Sequence, residues 1–463
     1  EADGNIGLMQ GVVDYKGTFR VVGVTPAKAE LRGSDGEPPK VVDDTPPNRL
    51  TGTFVLGKDR LDFDSFRFET GPIADPYVAD GAAYVELGKE PKFNVTANGA
   101  QVRLTNWGEN VNAGVTMGDR LAALQEALAL FPKPPIPGVV DVKLPAVVAG
   151  DTTIRDVALS AAPALDGWYL SSASAILPGR STLEAKGFLT TGKKPRFEGS
   201  LLLAVKQPSG FAAWLSKDVD AANRRLPAAG FSGSVYLDAT RQSFKQMEII
   251  LGEAKLTGEI ERTTAVNAKP VLAARLQGGA LDAETGSALA SLFVSDTGAF
   301  RYIGHDLDLK LRAGPIALSD LSAASIDAAL RVKDDRLDVD KLSVSDIAGA
   351  SVSATGSVRD LAGEPIGDID ATILADDLRP LVDQLATTFP TNRFVRELAD
   401  RAAGFPSLLT DARLDVVGSL AMAAWPAVDL ALSAKGKAGG SDFSATLSGD
   451  YNDGISLDAP FEA

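Results

Sequence analysis

The stretch that decides the fold is "RLDVDKLSVSDIAG", residues 336–349, and it has a partner in "RLDFDSFRFETG", residues 60–71. Both place apolar side chains at the same four offsets: Leu337, Val339, Leu342 and Val344 in one, Leu61, Phe63, Phe66 and Phe68 in the other. Weaker copies are "TTIRDVAL", with Ile154, Val157 and Leu159, and "QSFKQMEI", with Phe244, Met247 and Ile249. The second apolar position falls at 63, 154, 244 and 339, steps of 91, 90 and 95 residues. A fixed period of this kind marks a repeat architecture. Inside each copy, alternation is broken by one three-residue step, which a β-bulge or a bend between two short strands explains.

Working outward, the flanking segments alternate cleanly. "HDLDLKLRA" puts Leu307, Leu309 and Leu311 on one face and Asp306, Asp308, Lys310 and Arg312 on the other. "SIDAALRVK" does the same with Ile326, Leu330 and Val332, and "KFNVTA" with Phe93 and Val95. So do "GSVYLDA" with Val235 and Leu237, "DARLDVV" with Leu414 and Val416, and "VDLALSAK" with Leu430 and Leu432. Successive strand residues point to opposite faces, so each segment has one apolar and one wet side. Half-buried antiparallel strands read this way, whereas parallel strands covered on both faces read as unbroken apolar runs.

Each copy continues in one order. A strand containing Gly81, Gly187, Gly258 or Gly356 comes first, then a polar turn to Pro91, Pro195, Pro270 or Pro365. Another strand follows, and usually a helical stretch: "MGDRLAALQEALALF", "PSGFAAWLSKDV", "LDAETGSALASLF" or "DDLRPLVDQLATTF", the last trailed by "TNRFVRELADRAA". In the first, Leu121, Leu124, Leu128 and Phe131 recur at helical spacing behind Asp119 as a cap. The units are therefore 53–131, 132–225, 226–300 and 301–403, with partial units at 1–52 and 404–463. Such a unit leaves an apolar face and open edges, and stacking copies edge to edge satisfies the edges.

The expected fold is mainly β: one continuous, elongated array of stacked antiparallel units with short α-helices at the unit ends. Strand twist would curl it into a taco-like groove whose apolar face runs along its length.

Composition bounds the function. The 463-residue chain is 45% hydrophobic, which argues against disorder. Its 61 acidic and 46 basic residues give a net charge of −15, which argues against nucleic acid as the main partner. It has no cysteine, so disulfides, thiolate metal sites and cysteine nucleophiles are excluded. Aromatic residues, at 6%, are too few for the girdles of an outer-membrane barrel. The chain starts at Glu1 and stops at Ala463 after a strand-like run, which reads as a piece of something longer.

Chemical motifs have simpler readings. "GFLTTGKK" (187–194) nears a phosphate-binding loop, but Lys194 stands where Ser or Thr would hold magnesium, so a β-turn is expected. "DTGA" at Asp296 resembles an aspartic-protease loop without the second copy that chemistry needs. His305, the only histidine, reads as a polar residue at a strand start. Asp338 and Asp340 alternate with Leu337 and Val339 and read as a solvated face rather than a calcium loop. No enzyme and no cofactor are expected.

The repeats, together with "RLDVDKLSVSDIAGASVSATGSVRDL", "GDIDATILADDLRPLVDQL" and the Ala/Gly/Asp-rich composition, resemble the AsmA-like family of diderm bacteria from about Leu50 onward. The resemblance is one of repeat grammar, since that family has no catalytic motif. It implies a periplasmic β-groove protein related in architecture to bridge-like lipid-transfer proteins. It also implies an inner-membrane anchor lying outside this chain, phospholipid or another acyl lipid as ligand, and partners at the inner and outer membranes. The groove would be lined by Phe93, Val95, Val235, Leu237, Leu307, Leu309, Leu311, Ile326, Leu330, Val332, Leu414, Val416, Leu430 and Leu432. The alternative is a structural β-array of the cell envelope, a spacer or an adhesin.

Overall fold

In the computed structural model the alternating segments are strands, and the expected fold class is borne out: the chain is mainly β, an open strand array with few short helices. Residues 1–9, 12–22, 48–70, 73, 76–104, 134–149, 152–192, 194–215, 221–265, 267–291, 304–318, 321–361, 363–388, 390, 393–424, 427–451 and 455–456 are described. Two units emerge: Glu1–Val219 with Val235–Ala239, and Asp220–Ser234 with Thr240–Ala463.

The first unit opens with β1 (Ala2–Met9), β2 (Val12–Val22), β3 (Asn48–Leu56), β4 (Arg60–Thr70) and β5 (Tyr77–Glu86). It continues with β6 (Lys92–Leu104), β7 (Gly138–Ala149), β8 (Thr152–Ala164), β9 (Gly167–Leu177), β10 (Ser181–Thr190), β11 (Arg196–Val205) and helix α1 (Pro208–Leu215). From β1 to β11 each strand pairs with the next in sequence. Then come α2 (Ala221–Arg225) and β12 (Ala229–Leu237), whose residues are divided between the units.

The second unit continues with β13 (Arg241–Leu251), β14 (Ala254–Thr263), β15 (Val271–Gly278), β16 (Leu281–Asp282), α3 (Ala283–Ala290) and β17 (Asp306–Ala313). Next are β18 (Ile316–Leu318), β19 (Leu321–Ala323), β20 (Ser325–Lys333), β21 (Arg336–Ile347), β22 (Ala350–Arg359) and β23 (Ile366–Asp377). A helical pair, α4 (Arg379–Thr388) and α5 (Arg393–Gly404), leads to β24 (Thr410–Ala424), β25 (Ala427–Ala438), β26 (Ser441–Tyr451) and β27 (Ile455–Ser456). The main sheet passes from β13 through β14, β15, β17 and β20 to β27, while β16, β18 and β19 form a small separate sheet.

The three-residue step of the repeat is a β-bulge inside one continuous strand in all four copies. Register shifts fall between Phe63 and Phe66, between Arg155 and Ala158, between Phe244 and Met247, and between Val339 and Leu342. The extra residue restores the apolar side chains to the same face on both sides of the step. Two of the repeat's glycines follow from the same geometry. Gly187 and Gly258 have φ of +151° and +152°. A Cβ on Gly258 would lie 1.9 Å from the Arg275 carbonyl oxygen, so only glycine fits.

The strand ladders within each expected unit are antiparallel, and the parallel pairings, β6–β7, β15–β17 and β16–β18, fall between successive units. In all three, more than two dozen residues separate the strands, long enough for the chain to cross back and re-enter in the same direction. Between β23 and β24 the two packed helices α4 and α5 return the chain to the end it left, and that pairing stays antiparallel.

Helices form where the sequence turns from alternation to helical spacing. Asp282 caps α3, its side chain accepting the Thr285 backbone N–H at 2.7 Å. Ala288 and Leu289 of α3 are buried with Met247, Leu251 and Leu256 of the sheet. Full burial of a side chain such as Leu256 contributes about 1.5–3 kcal/mol. Leu381 and Val382 of α4 and Ala402 of α5 are likewise buried against Ala350, Ala375, Ala412 and Leu414. The helix expected at 117–131 and the "DTGA" at Asp296 lie outside the described residues. None of the described helices is long and apolar enough to cross a membrane.

Candidate functional site

Register turns the alternation of single strands into rows that cross whole sheets. In the second unit one row reads Phe244, Ile260, Ala274, Leu309, Leu330, Val339, Gly356, Ile369, Gly418 and Leu432, each directly opposite the next. No polar side chain interrupts it. Ten strands at about 4.8 Å spacing make it roughly 43 Å long. The first unit has its own: Phe19, Gly52, Phe66, Gly81, Ala97, Val142, Leu159, Ala173, Ala185 and Leu201. All ten of these are half-buried, as are all of the second row except Ala274 and Gly418.

Small and large residues mesh within the rows. A Cβ on Gly81 would meet the Phe66 ring at 2.3 Å, and one on Gly418 would meet Leu432 at 2.5 Å and Ile369 at 2.9 Å. Large side chains thus lie over the glycine of the neighbouring strand, which compensates for its missing side chain. Phe19 and Phe63 pack edge to face with centroids 5.2 Å apart, a geometry aromatic rings favour.

Helices cover the rows unevenly. Where Leu251, Leu256 and Ala313 stand, α3 and the small sheet close the face, and α4 and α5 do so over Ala350, Ala375 and Ala412. At Leu272, Leu307 and Val332 the cluster is built of strand residues and Leu361 alone.

Among the residues expected to line a groove, Leu307, Leu309, Leu311, Ile326, Leu330, Val332, Leu414, Val416 and Leu432 come together on this face of the second unit. Leu309 faces Leu330, Leu307 faces Val332, and Val416 faces Ala371. Leu307, Val332 and Leu414 are buried and the rest are half-buried. Leu430 stands opposite Leu420 in the ladder. Phe93, buried, and Val95, half-buried, sit on the first unit's face, opposite Gly138 and Val140. Val235 is buried and Leu237 half-buried on β12.

Sequence reasoning missed Phe19, Val142, Leu201 and Ile369 as members of the face. Their own strands carry Gly and Ala at the intervening inward positions, which blurs alternation. Only cross-strand register reveals them.

The opposite face is a lattice of ion pairs. Asp340 accepts from Arg331 at 2.6 Å and Asp338 from Arg336 at 2.7 Å, as expected of a solvated face. The Arg331 hydrogen bond holds the Asp340 carboxyl below the usual carboxylate range. His305 immediately precedes β17, at the strand start as expected, and its Nε2 accepts from Arg262 at 3.2 Å. Burial, and then the Arg262 charge, push its pKa below the ordinary histidine value. Gly187 to Lys194 runs from β10 into its connection with β11, so a hairpin stands where a phosphate-binding loop would need a strand-to-helix turn.

A scan of protein-family models and searches of curated proteins and of solved structures return no match to this chain.

Proposed function

We propose that the apolar rows are the acyl-binding face of a lipid-carrying β-groove, and that the protein works in the periplasm in phospholipid transfer between inner and outer membrane and in outer-membrane homeostasis. One observation carries this reading: ten-strand apolar rows that are uninterrupted by polar groups and still half-accessible. An ordinary core closes over its apolar side chains, as α3 does over Leu256. A row of roughly 43 Å exceeds a single leaflet's share of the ~30 Å bilayer hydrocarbon, so it suits a file of acyl chains better than one enclosed ligand. The repeat grammar shared with AsmA-like proteins supports the same reading, and supplies the periplasmic setting and the anchor outside this chain.

The test is to place one charge on this apolar face of the second unit. Leu309→Asp, Leu330→Asp and Val416→Asp should each stop co-purification of phospholipid and its transfer between donor and acceptor vesicles. Undiminished transfer by all three folded variants would reject the reading and favour a spacer or scaffold of the envelope.

A further inference from the structure

The register that aligns apolar side chains on one face of the second unit's sheet aligns cations on the other. Arg275 on β15 stands directly opposite Lys310 on β17, Lys310 opposite Ala329 on β20, and Ala329 opposite Lys341 on β21. Arg312, two residues along β17, and Lys245, in the β13 bulge, complete the wall of a cleft of about 710 Å³. Its carboxylates are Glu259 and Asp327. Glu259 accepts from Arg275 at 2.7 Å, while Asp327 is shared by Arg312 at 3.1 Å and Lys341 at 2.7 Å.

Five cations against two carboxylates leave an excess of three positive charges in a chain whose net charge is −15. Like charges directly opposite across paired strands are destabilising; Glu259 offsets Arg275, and Asp340 acts on Lys310 from beside the cleft. Ala329 leaves the floor open between Lys310 and Lys341, and the volume lies within the range of small-ligand sites. Guanidinium and ammonium groups together match the oxygens of a phosphate.

We propose that this cleft binds a small polyanion carrying phosphate groups, at a site separate from the acyl-binding face because the sheet lies between them. The phosphate belongs either to a free ligand or to a lipid headgroup presented from a membrane. Calorimetric titration of the full chain with inorganic pyrophosphate at low salt reads the first case, and sedimentation with phosphatidic acid vesicles against phosphatidylcholine vesicles reads the second. In at least one arm the K310Q/K341Q variant should bind about tenfold more weakly or worse, while K437Q, on a distant strand, should bind as the unaltered chain does. Since these positions are exposed, circular dichroism should show both variants folded. Absence of binding in both arms, or equal binding by K310Q/K341Q, would overturn the proposal. The outcome is independent of the lipid reading, which the apolar-face substitutions test.

Discussion

At the scale of single residues, the face depends on where side chains are absent. Gly258 combines a φ of +152° with a Cβ position 1.9 Å from a backbone oxygen. Gly258→Ala should therefore cost about 1–3 kcal/mol and lower Tm accordingly. Gly279→Ala, where nothing lies within 4 Å, should change Tm little. Equal effects would show that the close approach at Gly258 is not structural. Charges act at the same scale. Asp282 is held below the usual carboxylate range by the Thr285 backbone N–H, Asp327 by Lys341, Asp340 by Arg331 and Asp377 by Arg379. A lowered folded pKa means that the folded state prefers the ionised form. That stability is present above the unfolded value of about 4 and is lost as pH falls through the lowered folded values. Tm should accordingly drop as pH is taken below about 4, and a flat profile through that window would contradict these assignments. The glycine positions were legible in the sequence as repeat landmarks. Their reason was not, because a cross-strand carbonyl is invisible to a single strand.

Among elements, the bulged strand is the repeating device. The offsets of "RLDFDSFRFE" and "RLDVDKLSVSD" already required something between Phe63 and Phe66 and between Val339 and Leu342, and the bulges stand there. Direction was not legible. Alternation is the same for parallel and antiparallel neighbours, so the parallel entries of β7 and β17 could be read only from the ladder. Coverage was hidden too: "LDAETGSALASLF" announces a helix, but not that it seals Leu256 while sparing Leu330. The difference is measurable. Leu256→Asp buries a charge beneath α3 and should unfold the unit in thermal melts, since an unpaired buried charge costs several kcal/mol. Leu330→Asp, in the half-accessible row, should leave a cooperative melt. If both unfold the chain, the row is closed core.

For the whole molecule, the sequence carried the fold class and nine of the predicted contact residues onto one face of the second unit, because amphipathic alternation is local and strong there. It did not carry the first unit's row, where Gly52, Gly81 and Ala97 dilute the pattern, nor the cation cleft, which exists only once six strands are in register. The central claim is that the rows are an occupied lipid face rather than a packed interior. Photo-crosslinking in a diderm bacterium fed labelled phospholipid tests it most directly, with a reactive side chain at Leu309 or Ile369 on the row and at Asp308 or Asp370 on the reverse. Lipid adducts at Leu309 and Ile369 but not at Asp308 and Asp370 are the predicted result. Folded protein with no adduct at either row position would contradict the account.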